Sequence, residues 1–147
     1  MVGFALIVVV VMIILLIFLG FAMRKSPKEL RSNEVTSFSS ALLTYTTECA
    51  EDYEPRYYNL GDLIIACNEN KLCSDGAQSC DVLKEDVTRL LEKSWGNRGD
   101  IKGYELKITT GTKNLLMIKT GTNATNYKTN EPELIGSDIK MYFKLYF

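Results

Sequence analysis

Histidine is absent from the 147 residues. With it go the usual general base and the commonest metal ligand. No glycine-rich phosphate loop, nucleophile elbow or haem-attachment CxxCH occurs either. The paired acids Glu51/Asp52 and Glu85/Asp86 fall on stretches expected to be solvated. No catalytic residue is therefore named, no cofactor is expected, and enzymatic activity is not anticipated. A basic patch interleaved with aromatics is missing too, which argues against nucleic-acid recognition. The most informative absence is of charge: residues 1–23, MVGFALIVVVVMIILLIFLGFAM, carry none, and Arg24-Lys25 end the run abruptly.

As a helix that run would be roughly 35 Å long at about 1.5 Å per residue, enough for a bilayer core. It is apolar all round and has no wet face. Val8 to Val11, Ile13 and Ile14 are β-branched, which lowers helix propensity slightly. An apolar environment forces backbone hydrogen bonds inward and restores it. Three readings compete. A cleavable secretory signal is disfavoured by the run's length and by the lack of a preceding basic segment. An ordinary membrane anchor is the second reading. The third is an assembly helix, in the membrane as a monomer and in a filament core after polymerisation. Arg24, Lys25, Lys28 and Arg31 all follow the run, and by the positive-inside rule they would hold the rest of the chain in the cytoplasm. A basic leader, removed after insertion, would reconcile them with an outside location; Met1 is then expected to be a processed N-terminus.

Cys49, Cys67, Cys73 and Cys80 lie within a short stretch of the remaining chain. Their spacing lacks the short gaps of common zinc pairs, and with no histidine available two disulfides are expected rather than a metal site. Three connectivities are open. Asn123-Ala-Thr125 is a glycosylation acceptor pattern, in keeping with an oxidising, outside location. Net charge divides as +2, −7, +1 and +3 over residues 1–47, 48–92, 93–101 and 102–147. An acidic middle and a basic C-terminal part can attract head to tail between copies.

Beyond the apolar run, Pro27 predicts a kink or break near Ser26; alternatively Ser26 caps a new helix with Pro27 at its first position. Leu30, Val35, Phe38, Leu42 and Tyr45 recur at mostly helical spacing. One long, Pro-bent helix is expected from about residue 2 to about 50, apolar over 1–25, amphipathic and packed on the head over 26–50. Residues 51–58 read as a connector. Asn59, with Asp62 three positions on, caps a short helix through LGDLIIACNEN. KLCSDGAQSC is a turn-rich loop, and Ser79 or Asp81 caps a helix through DVLKEDVTRLLEKSW that stops at Gly96. Its stripe is Val82, Leu83, Val87, Leu90 and Leu91, with Glu85 and Arg89 paired on the wet side and Trp95 over the end of the core.

The period then becomes two. KGYELKIT and NLLMIKT flank a turn at 110–113 and read as a hairpin. Residues 120–136 should be an exposed loop. In SDIKMYFKLYF, Ile139, Met141, Phe143, Leu145 and Phe147 take one face, with Lys140, Tyr142, Lys144 and Tyr146 on the other. Such a strand has an open edge unless a neighbour covers it. The fold class is α+β: a long N-terminal apolar helix, kinked near Pro27, continuing into a head (51–147). The head comprises a helical cysteine-rich part (51–96) with two short helices and a C-terminal antiparallel sheet (102–147).

This organisation resembles a type IV pilin, the archaeal kind more than the bacterial. The resemblance rests on the apolar N-terminal run and its continuation past Arg24-Lys25 and Pro27. It rests also on the cysteine-bearing segments TTEC, DLIIAC and SCDVLKED and on the terminal MYFKLYF. It departs from bacterial pilins at Met1 and Ala5, where those carry Phe and Glu. The resemblance implies a homopolymer on the cell surface, membrane-inserted before assembly. Gly3, Phe4, Ala5, Val9, Ile13, Leu16 and Gly20 would lie in the helical bundle at the fibre axis, held by side-chain packing and small residues. The alternatives are a single-pass anchored extracellular adhesin that never polymerises and a cytoplasm-facing anchored regulator.

Overall fold

The computed structural model describes residues 2–22, 27–52, 56–122 and 124–147, giving the backbone alone at 2–6, 21, 22 and 27–32. The chain divides into two units, Met1–Arg31 and Ser32–Phe147. In the first, α1 spans Val2–Ala22.

The expectation of one long apolar helix reaching about residue 50 is corrected. The described helices are α1 and α2 (Pro27–Leu43), and helix has given way to strand by Thr46. Among the described residues no helix is long and apolar enough to cross a membrane. Pro27 is the first described residue of α2. The kink predicted beside it would fall at 23–26, outside the described residues.

Residues 46–50, expected to be helical, form β1 (Thr46–Ala50), antiparallel to β2 (Tyr57–Asn59). The cause is a cluster of threonines that compete for backbone groups. The Thr44 hydroxyl donates to the Ala41 carbonyl, and the Thr47 hydroxyl donates to the Tyr58 carbonyl. In α2 the inward positions are Val35, Ser39 and Leu42, spaced as one helical stripe.

Asn59 caps α3 (Leu60–Asn68): its Oδ1 accepts the Asp62 N–H at 2.8 Å, and its amide donates to the Asp62 carboxylate. α4 (Ser79–Trp95) is entered through Gln78, which makes no side-chain cap bond. Ser79 and Asp81 are thus not its cap; the Ser79 hydroxyl donates instead to the Lys71 carbonyl across the preceding loop. Gly96 ends α4, its N–H donating to the Glu92 carbonyl.

β3 (Gly103–Thr110) and β4 (Lys113–Gly121) form the hairpin, turning through Gly111 at φ 53°. β7 (Ile139–Tyr146) lies on the other side of β3. The segment read as an exposed loop contributes β5 (Tyr127–Thr129) and β6 (Glu133–Ile135), which pair in series along the outer side of β7. β7 is therefore an interior strand, and β4 is the long strand at the edge of a five-stranded sheet. Lys113 and Lys119 on β4 oppose pairing with stray strands. At the far end of the hairpin Gly121 (φ 80°) faces Gly103 so closely that a Cβ at Gly121 would stand 2.0 Å from the Lys102 carbonyl oxygen.

The core lies between the inner face of this sheet and the helices. Leu106, Ile108, Met141, Phe143 and Leu145 come from the sheet; Leu63, Ile64, Leu83, Val87 and Leu91 come from α3 and α4. Phe38 of α2 packs edge-on against Trp95 at 5.1 Å and against Phe143 at 5.4 Å. Trp95 thus closes the end of the core, with the Arg98 guanidinium 5.1 Å above its ring.

Candidate assembly surfaces

α1 exposes apolar side chains without interruption. Every residue from Ile7 to Leu19 is between 44% and 75% exposed. The exposed positions face every direction around the helix, because consecutive residues turn by about 100°. Val9, Ile13 and Leu16 belong to this surface, and a Cβ built at Gly20 would meet nothing within 4 Å. The side chains at Phe4 and Ala5, and the surroundings of Gly3, lie outside the described residues, as does Asn123.

The cysteines resolve into Cys49–Cys73 and Cys67–Cys80, with no free thiol. One ties β1 to the loop after α3; the other ties the end of α3 to the start of α4. Three of the four, Cys49, Cys67 and Cys73, are buried. Arg89 bridges two acids, Asp86 one turn back on α4 and Glu48 on β1, the latter at 3.5 Å. Its partner is thus not the expected Glu85. Asp86 is buried and its Oδ2 has no hydrogen-bond partner. Burial raises its carboxyl above the usual range, and the Arg89 charge pulls the other way without cancelling it.

The outer face of the sheet is the third surface. Cross-strand partners share a face, so Glu105 stands between Lys119 and Lys144, and Lys107 between Met117 and Tyr142. Lys140 stands beside Leu134. The Tyr146 hydroxyl donates to Glu105 Oε2 at 2.9 Å; burial first, and this carboxylate second, raise the phenol's pKa above its ordinary value. Lys144 sits 5.6 Å over the Tyr127 ring. Glu105, Lys107, Thr109, Thr112, Asn114, Tyr142 and Lys144 border an open hollow of about 410 Å³.

Among the described residues no group of three or more His, Cys, Asp or Glu side chains converges to hold a metal ion. The chemistry on offer is association: apolar on α1, electrostatic on the head. The alternation in SDIKMYFKLYF had marked Lys140, Tyr142 and Lys144. It carried no signal for Lys119, Tyr127 or Leu134, which join that face only through long-range pairing. Compared with models of known protein families, with characterised proteins and with solved structures, the chain matches none.

Proposed function

We propose that this chain is the structural subunit of an extracellular filament of the archaeal type IV pilus kind, polymerising through α1 and presenting the disulfide-bonded head outward. The observation that carries the proposal is the unbroken apolar surface from Ile7 to Leu19. A side chain of this size gains about 1.5–3 kcal/mol on full burial, so a rod of them seeks cover strongly. A two-fold dimer would cover one side of such a rod and leave the other wet. Away from lipid, a surround of further copies covers a helix that is apolar on every side, and repeated heterologous contacts that do not close generate a fibre. Gly20, with open space where a side chain would stand, lets a neighbouring backbone approach closely. The two disulfides fit an oxidising location outside the cell. The Ile7–Leu19 surface and the stapled head together support the pilin resemblance stated from the sequence.

Electron microscopy of material shed by cells that make this chain tests the proposal. Uniform fibres in which mass spectrometry identifies this chain are the expected result. Recovery of the chain only as lipid-bound single molecules overturns it.

A further inference from the structure

We propose that the outer face of the sheet is a docking surface for the acidic, solvent-facing side of α4 on a second copy of this chain. The head contact stands on the charges of the second unit and does not depend on α1. Among the described residues the face brings together Lys107, Lys119, Lys140 and Lys144 against one acid, Glu105, and Glu105 is already engaged by Tyr146. That leaves it with a net charge of +3. The opposite sign is concentrated elsewhere on the same head: residues 48–92 carry eleven acids against four bases.

The solvent-facing side of α4 offers a matching relief. Asp81, Glu85 and Glu92 line an open groove of about 380 Å³ along the helix. Arg89, in the same groove, is committed to Asp86 and Glu48, so Lys84 is the cation left facing those acids. The hollow is bordered by Lys107, Tyr142 and Lys144 and also by Glu105, whose Oε2 is held by Tyr146; the two lysines give it the donors to receive a further carboxylate side chain. Met117 and Leu134, 55% and 67% exposed on strands at the two sides of the face, supply the apolar contact that a charged rim alone lacks.

Geometry makes the partner a second copy. α4 turns Leu83, Val87 and Leu91 into the core that the sheet's inner face shares. Its wet side and the outer face of the sheet therefore both point away from that core, and one head cannot bring them together. Between copies they meet as unlike patches, a heterologous contact that continues from copy to copy.

The test uses the full chain, half isotopically light and half heavy, dissociated, mixed and allowed to reassociate at low salt. Zero-length carbodiimide coupling then joins touching lysines and carboxylates, and mass spectrometry reads the links. The expected result is light–heavy links from Lys107 or Lys144 to Asp81, Glu85 or Glu92, falling several-fold between low and high salt as screening sets in. The double reversal Lys107→Glu/Lys144→Glu removes the coupling amines themselves, so the reading is the mixture: with Asp81→Lys/Glu85→Lys chains added, coupling between the same positions should return. These positions are on the surface, and both disulfides in the digest report that each variant has folded. Links at these residues confined to single chains, or no coupling at these positions when the two reversed chains are mixed, overturn the docking. Fibres without the links overturn the docking and leave the α1 assembly standing; links without fibres do the reverse.

Discussion

Asn130 holds Ser39 across the buried seam between the sheet and α2: its amide donates to Ser39 Oγ at 3.2 Å, while its Oδ1 accepts the Phe143 N–H at 2.8 Å. Asn130 stands between β5 and β6: its backbone N–H donates to the Phe143 carbonyl at 3.3 Å, and its side-chain oxygen stands in for the ladder carbonyl that would accept the Phe143 N–H. Both residues are almost fully buried, so truncation leaves donors stranded. Asn130→Ala should lower unfolding free energy by about 2–4 kcal/mol, given roughly 1–3 kcal/mol for each buried group left unpaired. Ser39→Ala, which strands a single amide hydrogen, should cost less. Denaturant unfolding of the two variants orders them; equal, negligible effects would show that the seam is wet.

Removing Cys49–Cys73 by paired serine substitution should cost about 2–4 kcal/mol, and removing Cys67–Cys80 somewhat less, because the residues it joins are 13 apart rather than 24. Non-reducing peptide mapping of the native chain should return these two links and neither of the other pairings. Calorimetry of the serine pairs should show the larger drop for the longer loop.

Asp86 predicts an inverted pH dependence. Its folded-state pKa lies above its unfolded value, so between the two the folded chain holds more protons than the unfolded one. Stability from this group is then greatest below the unfolded pKa, near 3.9, and declines as pH rises through the folded value. Asp86→Asn should flatten that decline. The difference in melting temperature between Asp86→Asn and the native chain should move in the variant's favour on going from pH 4 upward; a difference that moves the other way would mean that Arg89 outweighs burial.

The parts of this fold that could be read from the sequence were those with a local period. The alternation of Tyr104, Leu106 and Ile108, and of Ile139 through Leu145, needs only neighbours two residues apart. The Asn59–Asp62 cap lies within a single turn. What could not be read depends on distant partners. Thr46–Ala50 reads equally well as the end of a helix until β2 and Cys73 are brought against it. Tyr127–Thr129 and Glu133–Ile135 are three-residue strands in turn-rich sequence, held by β7 alone. Cysteine spacing left three pairings open, and the packing of β1, α3 and α4 selects one. Of the site, the apolar surface of α1 was evident from composition. The charged outer face was half evident, since Lys140 and Lys144 alternate along one strand but Lys119 arrives by pairing. The expected long bent helix failed because apolar periodicity carries no information about where helix yields to strand at Thr46.

The filament claim stands most directly on Val9, exposed on the apolar surface of α1. Electron microscopy of the Val9→Asp chain, prepared beside the native one, is the measurement. A buried, unpaired carboxylate in a packed bundle of helices carries a penalty of several kcal/mol per copy. The account predicts abundant fibres from the native chain and none from Val9→Asp, whose head keeps both disulfides and its near-ultraviolet circular dichroism. Normal fibres from Val9→Asp would contradict it.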